Sequence, residues 1–179
     1  MSRIAVPARE AVPEAARPLL DAVEKKLGAV PNLFRLMATS PAVLDGYLAK
    51  SAALSKTLDA KLRERIALAV AAINGCDYCM SAHTYLATNL AKLPADEIAR
   101  NRAGGSGEPK ADAAVRFAAK VARERGHVSD AELSQVRLAG WSDAQIVEIV
   151  AVVAENVFTN FLNEVAKTDI DFPVVRAAA

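Results

Sequence analysis

No stretch of the 179-residue chain alternates apolar and polar residues as a half-buried strand must. Its apolar residues recur instead at three- and four-residue spacing, as in Leu62, Ile66, Ala69, Val70 and Ile73. Composition points the same way. Alanine is abundant and only 5% of residues are aromatic, whereas strands prefer aromatic and β-branched side chains. The expected fold is all-α, in one domain large enough to bury a core without staples.

Glycine, proline and capping residues divide the chain into helices. Pro13 opens one that runs through Lys26 and closes at Gly28, and a short apolar turn covers residues 32–40. Pro41 starts a helix to about Ser55, and Asp59 caps the next, which Asn74-Gly75 stops. A new helix begins near Cys76 and runs to about Leu90. Pro94 introduces a short helix ending in "AGGSGEP", residues 103–109, whose composition is that of a flexible loop. An alanine-rich helix covers Lys110 to Arg125. Ser129 with Glu132, and Ser142 with Gln145, make capping boxes for helices reaching about Leu138 and about Lys167. The tail is expected to be extended. Shifting residues 64–79 by 84 positions lays Glu64 on Glu148, Cys76 on Asn160 and Cys79 on Asn163, as in a duplicated helical unit whose second copy lost its thiols.

A net charge of +1 and the absence of a basic block with interleaved aromatics argue against nucleic acid as a partner. The N-terminus carries charges throughout, and the longest apolar pattern is broken by Glu148, Glu155, Asn156 and Asn160, so neither a secretory signal nor a membrane span is expected. The chain reads as cytoplasmic. Two cysteines in a reducing compartment point to a reactive or metal-binding role sooner than to a structural disulfide.

Both cysteines fall in "NGCDYCMSAHT", residues 74–84. A C-x-x-C pair at the start of a helix meets free backbone N–H groups and the helix dipole, which stabilise a thiolate. His83 lies one turn beyond Cys79, on the same face, where an imidazole can hold or relay the Cys79 proton. Glu64 stands about 11 residues before Gly75 and His83 about eight after it. In an antiparallel helix pair they would be nearly level, at roughly 1.5 Å rise per residue. Glu64 would then orient His83, completing a nucleophile, base and orienter. Two other readings stay open at this point: a zinc shell of two thiolates, an imidazole and a carboxylate, or two buried small residues.

Glu64, eleven residues, Cys76-x-x-Cys79, three residues and His83 together resemble the signature of the AhpD-like alkylhydroperoxidases of the carboxymuconolactone decarboxylase superfamily. The closing "NVFTNFLNEVAKTDIDFP" resembles the C-terminal segment of that family's peroxidase-related members. The resemblance covers roughly residues 31–173, leaving a helical arm over 1–30 and a tail over 174–179 within a single AhpD-like domain, 1–179. It implies a helical bundle that assembles as a homo-trimer or homo-hexamer. Cys79 would attack a hydroperoxide to give a sulfenic acid, Cys76 would resolve it to a disulfide, and His83 and Glu64 would relay protons. An external dithiol or protein reductant would complete turnover, and no cofactor or metal is expected. Tyr78 stands where AhpD itself often has histidine, and is an auxiliary candidate that either donates to the thiol or packs beside it. The family's cysteine-lacking branch offers a decarboxylase-type activity as the alternative among enzymes, and a zinc-bound or purely structural oligomeric module is the alternative outside them.

Elsewhere the plain readings are preferred. His127, after a glycine at a helix end, is expected to be a solvated or capping residue, and Trp141 a packing anchor. Asn156, Asn160 and Asn163 share one apolar helix, where structural hydrogen bonds and a role in the site are equally open.

Overall fold

The structure, a computed structural model, describes residues 2–177. Residue 1 of the expected arm and residues 178–179 of the expected tail lie outside them. Among the described residues there is no strand. Two 3-10 turns, Arg9–Ala11 and Glu14–Ala16, precede α1 (Arg17–Leu27), α2 (Asn32–Met37), α3 (Pro41–Leu54) and α4 (Ala60–Asn74). There follow α5 (Asp77–Asn89), α6 (Ala95–Arg102), α7 (Pro109–Arg123), α8 (Asp130–Leu138) and α9 (Asp143–Ala166).

The first α-helix begins later than the sequence predicts. Pro18 sits in the first turn of α1, and Pro13 leads only into a 3-10 turn. Without an N–H, Pro18 cannot bond back to Glu14, and its ring would crowd that carbonyl in a longer α-helix. Both predicted capping boxes are formed, by Ser129 with Glu132 and by Ser142 with Gln145. Asp59 caps α4, its side chain accepting from the Leu62 N–H at 2.8 Å.

Helix α4 is the axis of the bundle, with α5, α6, α7 and α9 packed around it. Its central run, Arg65 to Ala71, is buried on every side. Alanines at 67, 69 and 71 let neighbouring backbones approach closely, while Ile66, Leu68 and Val70 fill the space between them. Burying side chains of the last kind stabilises by roughly 1.5–3 kcal/mol each. The core has two main parts. One gathers Leu62, Ile66, Phe117, Val136, Trp141 and Ile149 between α4, α7, α8 and α9. The other holds both cysteines, together with Leu20, Leu33, Met37, Leu44, Leu68 and Met80. Val12 and Ala16 of the arm belong to this second part, so the arm helps to enclose the thiols.

Trp141 anchors the first part, its indole N–H donating to the Lys110 carbonyl at 2.9 Å. His127 is exposed. By length and composition α9 is apolar enough to cross a membrane, yet it packs against α3, α4, α5 and α7 and closes both parts of the core. Its outer face carries Val147, Val150, Phe158, Phe161 and Val165, all exposed.

The glycine-rich loop 103–109 is pinned, despite its flexible composition, by a buried carboxylate on α6. Glu97 accepts from Arg65 Nε at 2.9 Å, Asn101 Nδ2 at 3.0 Å, the Gly107 N–H at 2.8 Å and the Ser106 hydroxyl. A Cβ on Gly107 would come within 3.2 Å of Glu97 Oε2, so the close approach of loop and carboxylate favours glycine there. Burial alone would raise the Glu97 pKa, but the hydrogen bonds from Ser106, Gly107 and Asn101 and the Arg65 charge hold it down at about 2.

A depressed carboxylate stabilises the fold above its unfolded pKa and loses that contribution as pH falls through the folded value. From 4.5 to about 2 the linkage is on the order of 3 kcal/mol. Glu97→Gln is therefore expected to be roughly that much less stable than the parent in urea unfolding at pH 7, with the gap narrowing by pH 3. Equal stability of the two proteins at pH 7 would remove this carboxylate from what holds α4, α6 and the loop together.

Candidate active site

The site is built on the turn between α4 and α5. Gly75 closes α4 in the left-handed conformation, at φ 67°, and the Cys76 N–H returns to the Ala71 carbonyl at 3.1 Å, as in a Schellman motif. A Cβ on Gly75 would meet nothing within 4 Å, so the backbone conformation, and not crowding, is what favours glycine. The chain leaves this turn extended at Cys76, which becomes the N-cap of α5. Cys76 Sγ accepts from the Cys79 N–H at 3.3 Å, doing with sulfur what serine or asparagine does with oxygen. Both cysteines are free thiols, Cys76 fully buried and Cys79 2% exposed.

The fold brings all four predicted residues to this corner. Glu64 Oε2 on α4 lies 2.8 Å from His83 Nδ1 on α5, leaving Nε2 as the other ring nitrogen. His83 and Glu64 are about one-fifth exposed. Burial by itself would lower the His83 pKa, but the charge and hydrogen bond of Glu64 outweigh it and raise it above the ordinary value. The Cys79 pKa is pulled down chiefly by the Cys76 hydrogen bond, which prevails over burial, and then by the His83 charge and the asparagines of α9. Cys76 is pushed up in return, first by its bond to Cys79 and then by burial. Between the two, the proton is favoured on Cys76 and the thiolate on Cys79.

Tyr78 faces away from this chemistry. Its hydroxyl accepts from the Leu33 N–H at 3.0 Å and donates to Asp171 Oδ1 at 2.8 Å, and Phe172 stacks edge-on against its ring. The tail continues along the same rear face of α5. Ser81 Oγ accepts from the Val175 N–H at 2.9 Å, and Asp77 accepts from Arg176 at 2.7 Å and from the Ala177 N–H at 2.8 Å. Tyr78 and the tail therefore brace the helix from behind while the thiols face α4 and α9.

Helix α9 supplies what sequence reasoning left open or missed. Asn163 Nδ2 donates to Cys79 Sγ at 3.3 Å, and Asn160 Oδ1 accepts from Asn74 Nδ2 at 2.9 Å. The Asn156 side chain donates instead to the Val152 carbonyl of its own helix, at 2.9 Å. The 84-residue shift that laid Cys79 on Asn163 thus aligns two residues that touch. Glu155 on α9 and Tyr47 on α3 also face this corner and did not stand out in the sequence. Burial raises the Glu155 pKa against the opposing pull of Lys50, Ser51, Arg63 and His83. Burial, with the charges of Glu155, Cys79 and Glu64, pushes the Tyr47 phenol up. The one signal for Glu155 was an acid within an apolar helical run. Among the described residues no group of three or more His, Cys, Asp or Glu is disposed to hold a metal ion.

Known proteins place this arrangement. The carboxymuconolactone decarboxylase family profile matches residues 41–120, which contain the α4–α5 turn and its four residues. No curated protein matches the chain. A peroxidase-related protein with an alkylhydroperoxidase AhpD core, from Ralstonia eutropha JMP134, is 30% identical with a TM-score of 0.83, covering 95% of this chain and 92% of that one. A peroxidase-related protein from Silicibacter sp. TM1040 shares the fold at 24% identity and TM-score 0.81, over 94% of this chain and 91% of that one. The debrominase Bmp8 shares it at 19% identity and TM-score 0.77, over 95% and 91%. The chain belongs to the AhpD-like proteins of the carboxymuconolactone decarboxylase superfamily.

Proposed function

We propose that the chain is a thiol-based hydroperoxidase of the alkylhydroperoxidase type, working through Cys79 and Cys76 with His83 and Glu64 as its proton relay. The observation that carries this reading is the 2.8 Å Glu64–His83 pair beside a cysteine whose thiolate is favoured. A fold that also serves a debrominase does not choose the reaction, so the reading rests on these side chains.

The reactive form of the dithiol has Cys79 as thiolate and His83 protonated, the forms favoured by their lowered and raised pKa values. The sulfur attacks the outer oxygen of a hydroperoxide R–O–O–H. The S–O bond forms as the O–O bond breaks, sulfur losing two electrons and the peroxide gaining them. The departing alkoxide takes the His83 proton and leaves as R–OH, and Cys79 becomes a sulfenic acid. Glu64, bonded at Nδ1, turns Nε2 toward this transfer and stabilises the imidazolium before it. Cys76 Sγ then attacks Cys79 Sγ. The S–S bond forms, the S–O bond breaks, and the Cys76 proton leaves with the oxygen as water. An external dithiol or protein reductant returns two electrons and two protons by thiol exchange, in a cytoplasmic homo-oligomer.

Excess cumene hydroperoxide should consume both free thiols of each chain, and Cys79→Ser should leave Cys76 unreacted. Survival of both thiols in the parent would sink the hydroperoxidase reading.

The relay adds a pH signature. Thiol oxidation needs Cys79 deprotonated and His83 protonated, so the rate should fall below the lowered Cys79 pKa and again above the raised His83 pKa. Glu64→Gln removes the charge that raises His83, and should move the alkaline limb to lower pH. His83→Ala should abolish that limb and slow oxidation on the order of 100-fold. Unchanged profiles in both variants would take the relay out of the mechanism.

A further inference from the structure

Two buried carboxamides of α9 are not absorbed by the relay. Asn160 and Asn163 are 0% and 2% exposed and lie one helical turn apart on the face turned to Cys79. Asn163 spends its Nδ2 on Cys79 Sγ, at 3.3 Å, while its Oδ1 is buried with no partner among the described residues. Asn160 Oδ1 is fixed by Asn74, and its Nδ2 is buried and likewise without a partner at bonding distance, though the group stands close enough to Cys79 to favour its thiolate. A buried, unpaired carboxamide atom costs about 1–3 kcal/mol, and this corner tolerates two of them within a turn of one helix. Their arrangement is that of a half-filled site: one donor already on the sulfur, a second donor free, and an acceptor free beside them.

We propose that Asn163 and Asn160 form an anion cradle at Cys79, Asn163 holding the charge on the thiolate sulfur and the two amide groups together holding the oxygen that the sulfur acquires. The proposal rests on the hydroperoxidase reading for its second half and deepens it. As the thiolate takes the outer peroxide oxygen, that oxygen stands on the sulfur where the free Asn160 N–H can donate to it. The free Asn163 carbonyl can accept from the O–H of the incoming hydroperoxide and so aim its outer oxygen at sulfur. No atoms are exchanged with either asparagine; they bond to groups whose charge changes during the reaction, as oxyanion-hole donors do. Carboxamides suit this place because they donate without titrating, so they favour the charged sulfur without competing with His83 for its proton.

The surroundings explain why such donors are useful. Cys79 is faced from α5 by Cys76 and His83, from α3 by Tyr47, and from α4 and α9 by the carboxylates Glu64 and Glu155, which lie near His83. Only His83 among these brings positive charge, and Glu64 offsets it in part. Both asparagines favour the thiolate, in agreement with their position.

The test uses the full-length chain and two readouts, each with Asn163→Leu and Asn160→Leu. Iodoacetamide modification of the Cys79 peptide, followed by mass spectrometry across pH, reports the thiolate without any hydroperoxide. In Asn163→Leu its midpoint should rise by about one unit, a tenfold loss of reactivity on the acid side. Oxidation by cumene hydroperoxide, compared at the pH optimum of each protein and divided by its thiolate fraction from alkylation, should be about tenfold slower in each variant. Parent-like alkylation midpoints and parent-like oxidation rates in both folded variants would overturn the cradle. If the leucine variants do not fold, the side-chain 15N–1H resonance of Asn163 in the parent must titrate with the Cys79 midpoint, and a resonance that ignores that midpoint overturns it equally. A parent whose low alkylation midpoint rises in Asn163→Leu, but which is inert to hydroperoxide, would sink the hydroperoxidase reading and support the hold on sulfur charge.

Discussion

The arrangement depends on one reversal of the chain, the left-handed residue Gly75 between α4 and α5. It lets the Cys76 N–H return to Ala71 while the Cys76 side chain turns forward to cap the following helix. Two helices thereby run back along each other, and a carboxylate in the middle of one meets an imidazole on the other at 2.8 Å. A residue with a Cβ would pay roughly 1–2 kcal/mol for the same conformation, or abandon it, and the level of Glu64 with His83 would go with it.

Around that turn the molecule divides its work between two faces of α5. The front meets α4 and α9, where thiols, imidazole and carboxamides converge. The rear is tied by Tyr78, Ser81 and Asp77 to α2 and the extended tail. These ties restrain the first turn of α5 without using any group on the reactive face. The pinned loop at Glu97 does the same for α4 from its other side, through Arg65, next to Glu64 in sequence. Reactive groups held this way lose little further freedom on reaching a productive geometry, which is what an effective thiol site requires.

Much of this was legible in the residues. Helical periodicity with punctuation by Gly28, Gly75 and the capping boxes marked nearly every helix, because those signals are local. The meeting of Glu64 with His83 followed from counting residues across one tight turn, the simplest tertiary geometry there is. The start of α1 did not follow, because Pro13 and Pro18 both look like helix openers and only the second is one. Nor did Tyr47, Glu155 and the front-facing asparagines, since nothing local says which face of α9 meets which face of α5. The partial exception is the 84-residue shift, which aligned Asn163 with the cysteine it touches. Tyr78 shows the converse: its neighbours in sequence suggested a role at the thiol, but in the fold its hydroxyl is committed to Leu33 and Asp171.

The capping role of Cys76 has a thermodynamic consequence of its own. A helix N-cap contributes on the order of 1 kcal/mol, and here the capping atom is the sulfur of a thiol. Oxidation that joined it to Cys79 would make it a poorer acceptor and leave the first turn of α5 less well satisfied. By linkage, whatever the cap contributes belongs to the dithiol form alone. It shifts the couple toward easier reduction by about 20 mV per kcal/mol. The first turn of a helix would thus set part of the redox poise of the pair it carries.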